Sequence, residues 1–393
     1  MADVITTMTL ADARRAWSAR QHLGDPRAPS PALAELVGAI GWVPLPVGAA
    51  GYLALHARGA LTRRAALDSA IFDRHELSVV PGPRGAVWLV PTAEAPLARA
   101  FAVADHASRE ARLASACALT ARDLESARDA LRAALGAPVT LEALRSRLPA
   151  AVTRSLGDVG RRAGSPTLAG MVLRGMWCLG EVQRLPVTLR LDDERYRYAL
   201  EPYPRRVPSA AEAVDLLAPR WLRAHAPTTA RAFALAFGVA AGRAQAALKP
   251  LKPRNVAVEG FATDALVPED FVTPPRGEAP GEPLALLGLR DPWLDAHPDL
   301  VGLATPAHAR AVTQRAHGPG PAVVAQGQIV GTWSWDPQAR AVSWRGFDPV
   351  DRSVALRVDA QAESLGRLLA ELDAVPLHST QTLRRAVGSD TDL

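Results

Sequence analysis

Only two cysteines, Cys117 and Cys178, occur among the 393 residues. They lack the spacing of metal ligands. A disulfide-stapled scaffold, a zinc finger and an iron–sulfur cluster are therefore excluded, and a reducing, cytoplasmic setting is expected. No apolar run of about 18 residues is free of charge, which excludes a transmembrane helix. The stretch up to Ser30 carries Asp3, Asp12, Arg14 and Arg15 and no apolar segment of signal-peptide type, so no secretory leader is expected. Signatures of common catalytic sites are missing too. There is no Gly-x-Ser-x-Gly elbow, no phosphate-cradling Gly-rich loop and no His-Glu-x-x-His. The histidines, among them His22, His56, His75, His225, His297, His308 and His317, are scattered without the helical spacing of a metal pair. No metal and no cofactor is expected.

Lysine is also scarce. Of 45 basic residues only Lys249 and Lys252 are lysines. Arginine is the better fork for phosphate and for the guanine edge, although an Ala-, Arg- and Pro-rich chain also follows from GC-rich coding. Clustering says more than the net charge of +5. From Leu216 to Val258 lie Arg220, Arg223, Arg231, Arg243, Lys249, Lys252 and Arg254, with no Asp or Glu. From Ala143 to Leu173 lie Arg145, Arg147, Arg154, Arg161 and Arg162, against the single acid Asp158. The tail from Asp359 is acidic. A basic middle with an acidic end is the footprint of a polyanion binder, and equally of solvated helix faces.

With 48% hydrophobic and 22% charged residues, the chain can bury a large core in several units. Thr9 is placed to cap a helix reaching Leu23. Ala32–Ile40 reads as a helix, and Gly51–Ala57 as helix or strand. Thr62 is placed to cap Arg63–Phe72, and a strand–turn–strand follows around Pro81-Gly82-Pro83. Helices from Pro96 to Leu119 and from Ala121 to Leu135 come next. Thr140 opens a helix to Leu148, Thr167 opens Leu168–Leu179, and Gly180 closes it. Val187–Leu191 and Tyr196–Leu200 read as strands around the turn Asp192-Asp193-Glu194, whose acids are expected to be solvated. Ala211–Ala224, Thr229–Phe237 (capped by Thr228) and Ala240–Leu248 are helical, and Val256–Glu259 is a short strand. After a Pro-rich linker, strands are expected at Ala322–Ala325, Ile329–Trp335, Ala341–Phe347 and Ser353–Val358, with a last helix at Gln361–Leu372. Trp333, Trp335 and Trp344 are expected in a core rather than on an interaction surface.

Helix, turn, helix and hairpin is the plan of a winged helix, and it recurs along the chain. The expected class is α+β: three tandem winged-helix modules (residues 1–118, 119–205 and 206–280, the last with the linker) and a C-terminal β-rich domain (281–393).

Four stretches carry a resemblance. They are Tyr52-Leu53-Ala54-Leu55-His56-Ala57-Arg58 with Arg84-Gly85-Ala86-Val87-Trp88-Leu89-Val90-Pro91; Arg220–Gly238 with Ala226-Pro227-Thr228-Thr229; Leu286-Leu287-Gly288-Leu289-Arg290-Asp291-Pro292-Trp293-Leu294; and Gln326-Gly327-Gln328-Ile329-Val330-Gly331-Thr332-Trp333. In this order they resemble the winged-helix DNA glycosylase family typified by AlkZ and YcaQ. The resemblance implies a cradle for duplex DNA and metal-free excision of bulky or crosslinked alkylated purines. It also implies a Gln-x-Gln or Gln-x-Asp motif that positions water and stabilises the developing sugar cation. Counted back from Arg58, those positions fall on Pro44 and Pro46, whose rings offer neither donor nor acceptor. Ala86 and Trp88 stand where the family has Thr and His, and Ala236 where it has Trp.

Three readings follow: a DNA-binding protein on the glycosylase scaffold without its standard chemistry; an active glycosylase rebuilt around a carboxylate such as Glu35, Asp68 or Asp73; or a protein-interaction module. The first has double-stranded DNA as partner and a monomer acting away from membranes. Arg58, Arg84, Arg154, Arg161, Arg162, Arg174, Arg243 and Arg254 are its expected DNA-facing residues.

Overall fold

The computed structural model describes residues 6–23, 31–202, 205–273, 283–314 and 318–372. They divide into two compact units. The first is built from the residues up to Ser78, Trp88–Thr92 and the residues from Val214 onward; the second from Val79–Val87 and Ala93–Ala213. The class is α+β. No helix among the described residues is long and apolar enough to cross a membrane.

Threonines start many of the helices, at Thr9, Thr140 and Thr167 as the sequence suggests. Thr9, Thr120, Thr140 and Thr167 each accept a backbone N–H three residues on, and Thr120 forms a full capping box with Asp123. Gly180 and Gly238 close their helices in the left-handed conformation, at φ 75° and 66°. Two expected caps fall elsewhere. Thr229, not Thr228, caps Ala230–Phe237, while the Thr228 hydroxyl accepts from Trp221 Nε1 at 3.2 Å. Thr62 caps nothing. The helix Arg64–Phe72 begins at Arg63 with no side-chain cap, and the Arg64 N–H donates to Glu371 Oε2 at 3.1 Å.

One strand order recurs. In the first sheet Val43–Pro44 pairs with Val87–Pro91, the second strand of the hairpin whose first strand is Leu77–Pro81. In another sheet Val139–Thr140 pairs with Tyr196–Leu200, the second strand of the hairpin begun by Val182–Pro186. Arg254–Val258 and Ala265–Val267 form a third hairpin, and Thr228 bridges Leu266 on its second strand. Thr6–Met8 adds a parallel strand on its other side. Each short strand or bridge lies shortly before a helix: Ala49–His56, Leu141–Arg147 and Ala230–Phe237.

Two segments differ from expectation. The hairpin strand reads Val182–Pro186, not Val187–Leu191, because pairing starts directly after the Gly180 cap and residues 187–195 form the turn. Ser353–Val358 is no strand. It opens the helix Arg352–Leu369, capped by Asp351, whose carboxylate accepts from the Ser353 N–H at 2.7 Å. The β-branched Val354 and Val358 suggest a strand, but Val358, Ala362, Leu365 and Leu369 have helical spacing and are buried.

The C-terminal sheet is antiparallel, in the order Leu284–Leu287, Ala322–Ala325, Gln328–Asp336 and Ala341–Gly346. Trp333 and Trp335 are buried, and Trp333 Nε1 donates to the Leu287 carbonyl at 2.8 Å. Trp344 is half-buried and donates to Asp359 Oδ1 at 2.7 Å. Gly331 explains itself here: a Cβ at that position would stand 2.3 Å from the Arg345 carbonyl oxygen. Gly331→Ala is therefore expected to destabilise the first unit by about 2 kcal/mol, read by urea unfolding. A loss below about 0.5 kcal/mol would mean that the two strands separate freely.

Candidate nucleic-acid interface and the motif positions

Pro44 lies in the short strand Val43–Pro44, buried, with Trp88 as its register partner. Pro46 is half-buried in the turn before the helix Ala49–His56. Around this strand an aromatic cluster fills the first unit. Trp42 meets Trp88 and Phe237 edge-on, with centroids 6.4 and 6.0 Å away. Trp88 lies parallel to Phe237 at 6.5 Å. Ala236 is buried beside them in sequence. Trp88 thus sits on a strand and Ala236 on a helix, both buried, while Ala86 is half-buried between the turn Pro83–Gly85 and the strand Val87–Pro91. Of the carboxylates weighed for a rebuilt site, Glu35 and Asp73 are exposed. Asp68 is buried, accepts from the Tyr52 hydroxyl and pairs with Arg64.

Arg58 is not a surface residue, and its place among the DNA-facing arginines is corrected. Its side chain and that of Asp291 are both fully covered, and they pair through Nη1–Oδ2 at 2.8 Å and Nη2–Oδ1 at 2.9 Å. Arg58 also donates to the carbonyls of Gln21 and Ala54 at 2.9 and 2.7 Å. Asp291 accepts from the Trp293 N–H at 2.9 Å and caps the turn Pro292–Asp295. A Cβ on Gly288 would lie 2.9 Å from Leu53 Cδ1, so this segment passes tightly over the helix Ala49–His56. Two stretches quoted from the sequence as separate motifs are therefore one contact. Beside it, burial holds His225 well below its ordinary pKa, with His297 and Arg58 nearby pushing the same way. Burial likewise lowers His297 to about 4. Both imidazoles are neutral near pH 7.

The remaining arginines keep some exposure. In the second unit Arg154 pairs with Asp123 at 3.1 Å, and Arg161 pairs with Asp158 on the short helix Gly157–Arg162. Arg162 stands exposed at the end of that helix. Arg174, half-buried on Leu168–Leu179, lines a small pocket with His106, Arg109, Glu110, Ser165 and Met171. Arg109 escaped the sequence reading, since only tertiary packing brings it beside Arg174. Arg84 is exposed on the turn Pro83–Gly85. In the first unit Arg243 pairs with Asp215 at 2.7 Å, and Arg254 donates to the Phe271 carbonyl at 3.1 Å. Among the described residues no group of three metal-ligating side chains converges.

The turn at 187–195 is not a solvated acidic loop. The side chains of Asp192 and Asp193 are only 3% and 8% exposed. Burial alone would raise the Asp193 carboxyl, but hydrogen bonds from Arg195 and Thr188 outweigh it and bring the pKa to about 2.

A search of the curated proteins returns no match. Among solved structures the chain is similar to the Streptomyces sahachiroi DNA glycosylase AlkZ, with a TM-score of 0.71 at 20% identity, covering 94% of this chain and 99% of that one. The family model described as DNA glycosylase AlkZ-like matches residues 8–374. The chain belongs to the AlkZ-like DNA glycosylase family.

Proposed function

We propose that the chain binds double-stranded DNA as a cytoplasmic monomer, through three winged-helix modules within residues 1–280, and that it lacks the family's standard base-excision chemistry. The observation that carries this reading is the pair Pro44 and Pro46, set in a buried strand and its following turn, where no side-chain donor or acceptor is available. The recurring strand order supports the modules. Exposed Arg84, Arg161 and Arg162 and half-buried Arg174 support the polyanion partner.

Affinity is expected to fall steeply with salt, each neutralised phosphate contributing a slope of about −0.9 in log K against log salt. Arg161→Glu with Arg162→Glu should weaken binding by a factor of ten or more to all sequences alike and flatten the slope by about 1 to 2. Fluorescence anisotropy across a salt series reads both. An unchanged slope would remove this helix from the interface; absence of salt-dependent binding in the parent chain would sink the DNA-binding reading.

A further inference from the structure

In the second unit the helices Ala95–Ala116 and Leu168–Leu179 meet closely where His106 lies over Gly175. A Cβ on Gly175 would stand 2.6 Å from His106 Nε2, so any side chain there would displace the ring. About one helical turn beyond His106, this approach brings Arg109 to the pocket that Arg174 also lines.

The surroundings do not neutralise these two guanidinium groups. Among the described residues neither Arg109 nor Arg174 has an ion-pair or hydrogen-bond partner. Glu110, the acid of the pocket, is engaged by His106 Nε2 at 3.2 Å, and that bond, with Arg128 nearby, holds its carboxyl below the ordinary pKa. Asp105, exposed on the same helix, bonds to neither arginine. Cys178 lies within electrostatic reach of both, but burial pushes its thiol up to about 11, so it brings no negative charge near pH 7. Ser165 lines the same pocket, is 7% exposed, and has a hydroxyl without a partner among the described residues. A covered hydroxyl left unbonded beside two unpaired cations is a costly arrangement until an anionic acceptor arrives.

The size of the pocket says which acceptor fits. Its free volume is about 10 Å³, room for one oxygen atom and not for a whole phosphate. The matching group inserts one oxygen and keeps its bulk outside. Glu110 in the same pocket disfavours a dianion. Both points suit a singly charged phosphodiester held by arginine forks.

We infer that this pocket is a phosphate socket, in which Arg109 and Arg174 together grip one backbone phosphodiester of duplex DNA and Ser165 donates to its inserted oxygen. This rests on the DNA-binding reading above and deepens it, adding Arg109 and Ser165 and a fixed anchoring point for one strand.

The test uses the full chain, fluorescence anisotropy across a salt series, and Arg109→Gln, Arg174→Gln and the double variant. One phosphate contact contributes about 0.9 to the salt slope, hence about eightfold in affinity near 0.1 M salt. The double variant should lose those amounts on unphosphorylated duplex. Its Tm should stay level or rise by a few degrees, because two like charges are gone. Affinity and stability moving apart is what a bracing role would not produce. A slope change of about 1.8 overturns the socket, since each arginine then meets its own phosphate. An unchanged slope, or a Tm that falls by more than a few degrees, overturns it while DNA binding stands. Arg109→Gln alters an exposed side chain and should lose part of the slope. If Arg174→Gln does not fold, Arg109→Gln decides alone, and wild-type slope in it overturns the socket. Two further arms separate the sources of phosphate. Adding 5′-phosphates to the duplex, or millimolar inorganic phosphate at constant ionic strength, should shift wild type and the double variant alike. A response confined to wild type assigns the pocket to a terminal or free phosphate and overturns the diester. No salt-dependent binding by wild type removes both readings together.

Discussion

Arg58→Ala and Asp291→Ala are each expected to cost about 3–5 kcal/mol of stability. Both side chains are fully covered, so either truncation strands a charge in the interior of the first unit. Arg58 also ties the carbonyls of Gln21 and Ala54, and Asp291 caps the turn that begins at Pro292. Removing both charges with residues of similar volume, Arg58→Met with Asp291→Leu, should be milder than the two single losses added together. No lone charge then remains, and only the cap and carbonyl bonds are lost. Urea unfolding of the four proteins measures this coupling. Single losses below about 1 kcal/mol would show that water reaches the pair. Binding per folded molecule, and its salt slope, should be the same in Arg58→Ala as in wild type, because Arg58 has no solvent-facing atom to offer a phosphate.

Why sequence places Arg58 on the DNA and structure places it in the core is a matter of range. Arg58 follows an apolar helix, where an arginine commonly snorkels to the surface. Its acid lies 233 residues further on, which no local pattern reveals. The resemblance contained both ends of the pair, Arg58 and Asp291, without joining them. Local chemistry was legible at several helix ends, though not at Thr62 and Thr228, neither of which caps its helix. Thr9, Thr140 and Thr167 cap the helices they precede, and Gly180 and Gly238 stop theirs. It failed where two local signals compete. At Ser353–Val358 β-branched residues outvote a helical face that only becomes visible at Leu365 and Leu369. At Val187–Leu191 an apolar run lies beside the strand rather than in it, since Asp193 turns the chain there. Asp192 and Asp193 look solvated in sequence and are internal ties in the fold.

Purine release from alkylated duplex DNA is expected to be indistinguishable from a protein-free control, even with the chain in excess. Cleavage passes through a sugar cation, and a placed polar group typically contributes a hundredfold or more to such a step. Two such groups absent together remove a factor of about 10⁴. Restoring them should not suffice. Pro44 is buried against the strand that carries Trp88, so glutamine there buries an amide, at about 1–3 kcal/mol if it finds no partner. Pro46 is half-buried and should accept glutamine with little loss. Trp88 in turn stacks on Phe237 and meets Trp42, so Trp88→His opens a cavity in the aromatic cluster and should cost about 3 kcal/mol or more. The expected series is therefore no release by wild type, none by Pro44→Gln with Pro46→Gln, and falling stability as Ala86→Thr and Trp88→His are added. Chromatography of freed bases, run beside urea unfolding, follows both quantities in one set of proteins. The contrary outcome is equally specific. Release by wild type that disappears in Glu35→Gln or Asp73→Asn, with unfolding unchanged, would mean that an exposed carboxylate has taken over the glutamines' work. Asp68→Asn is the less clean probe, because Asp68 already accepts from Tyr52 and pairs with Arg64, and its loss should show first in stability.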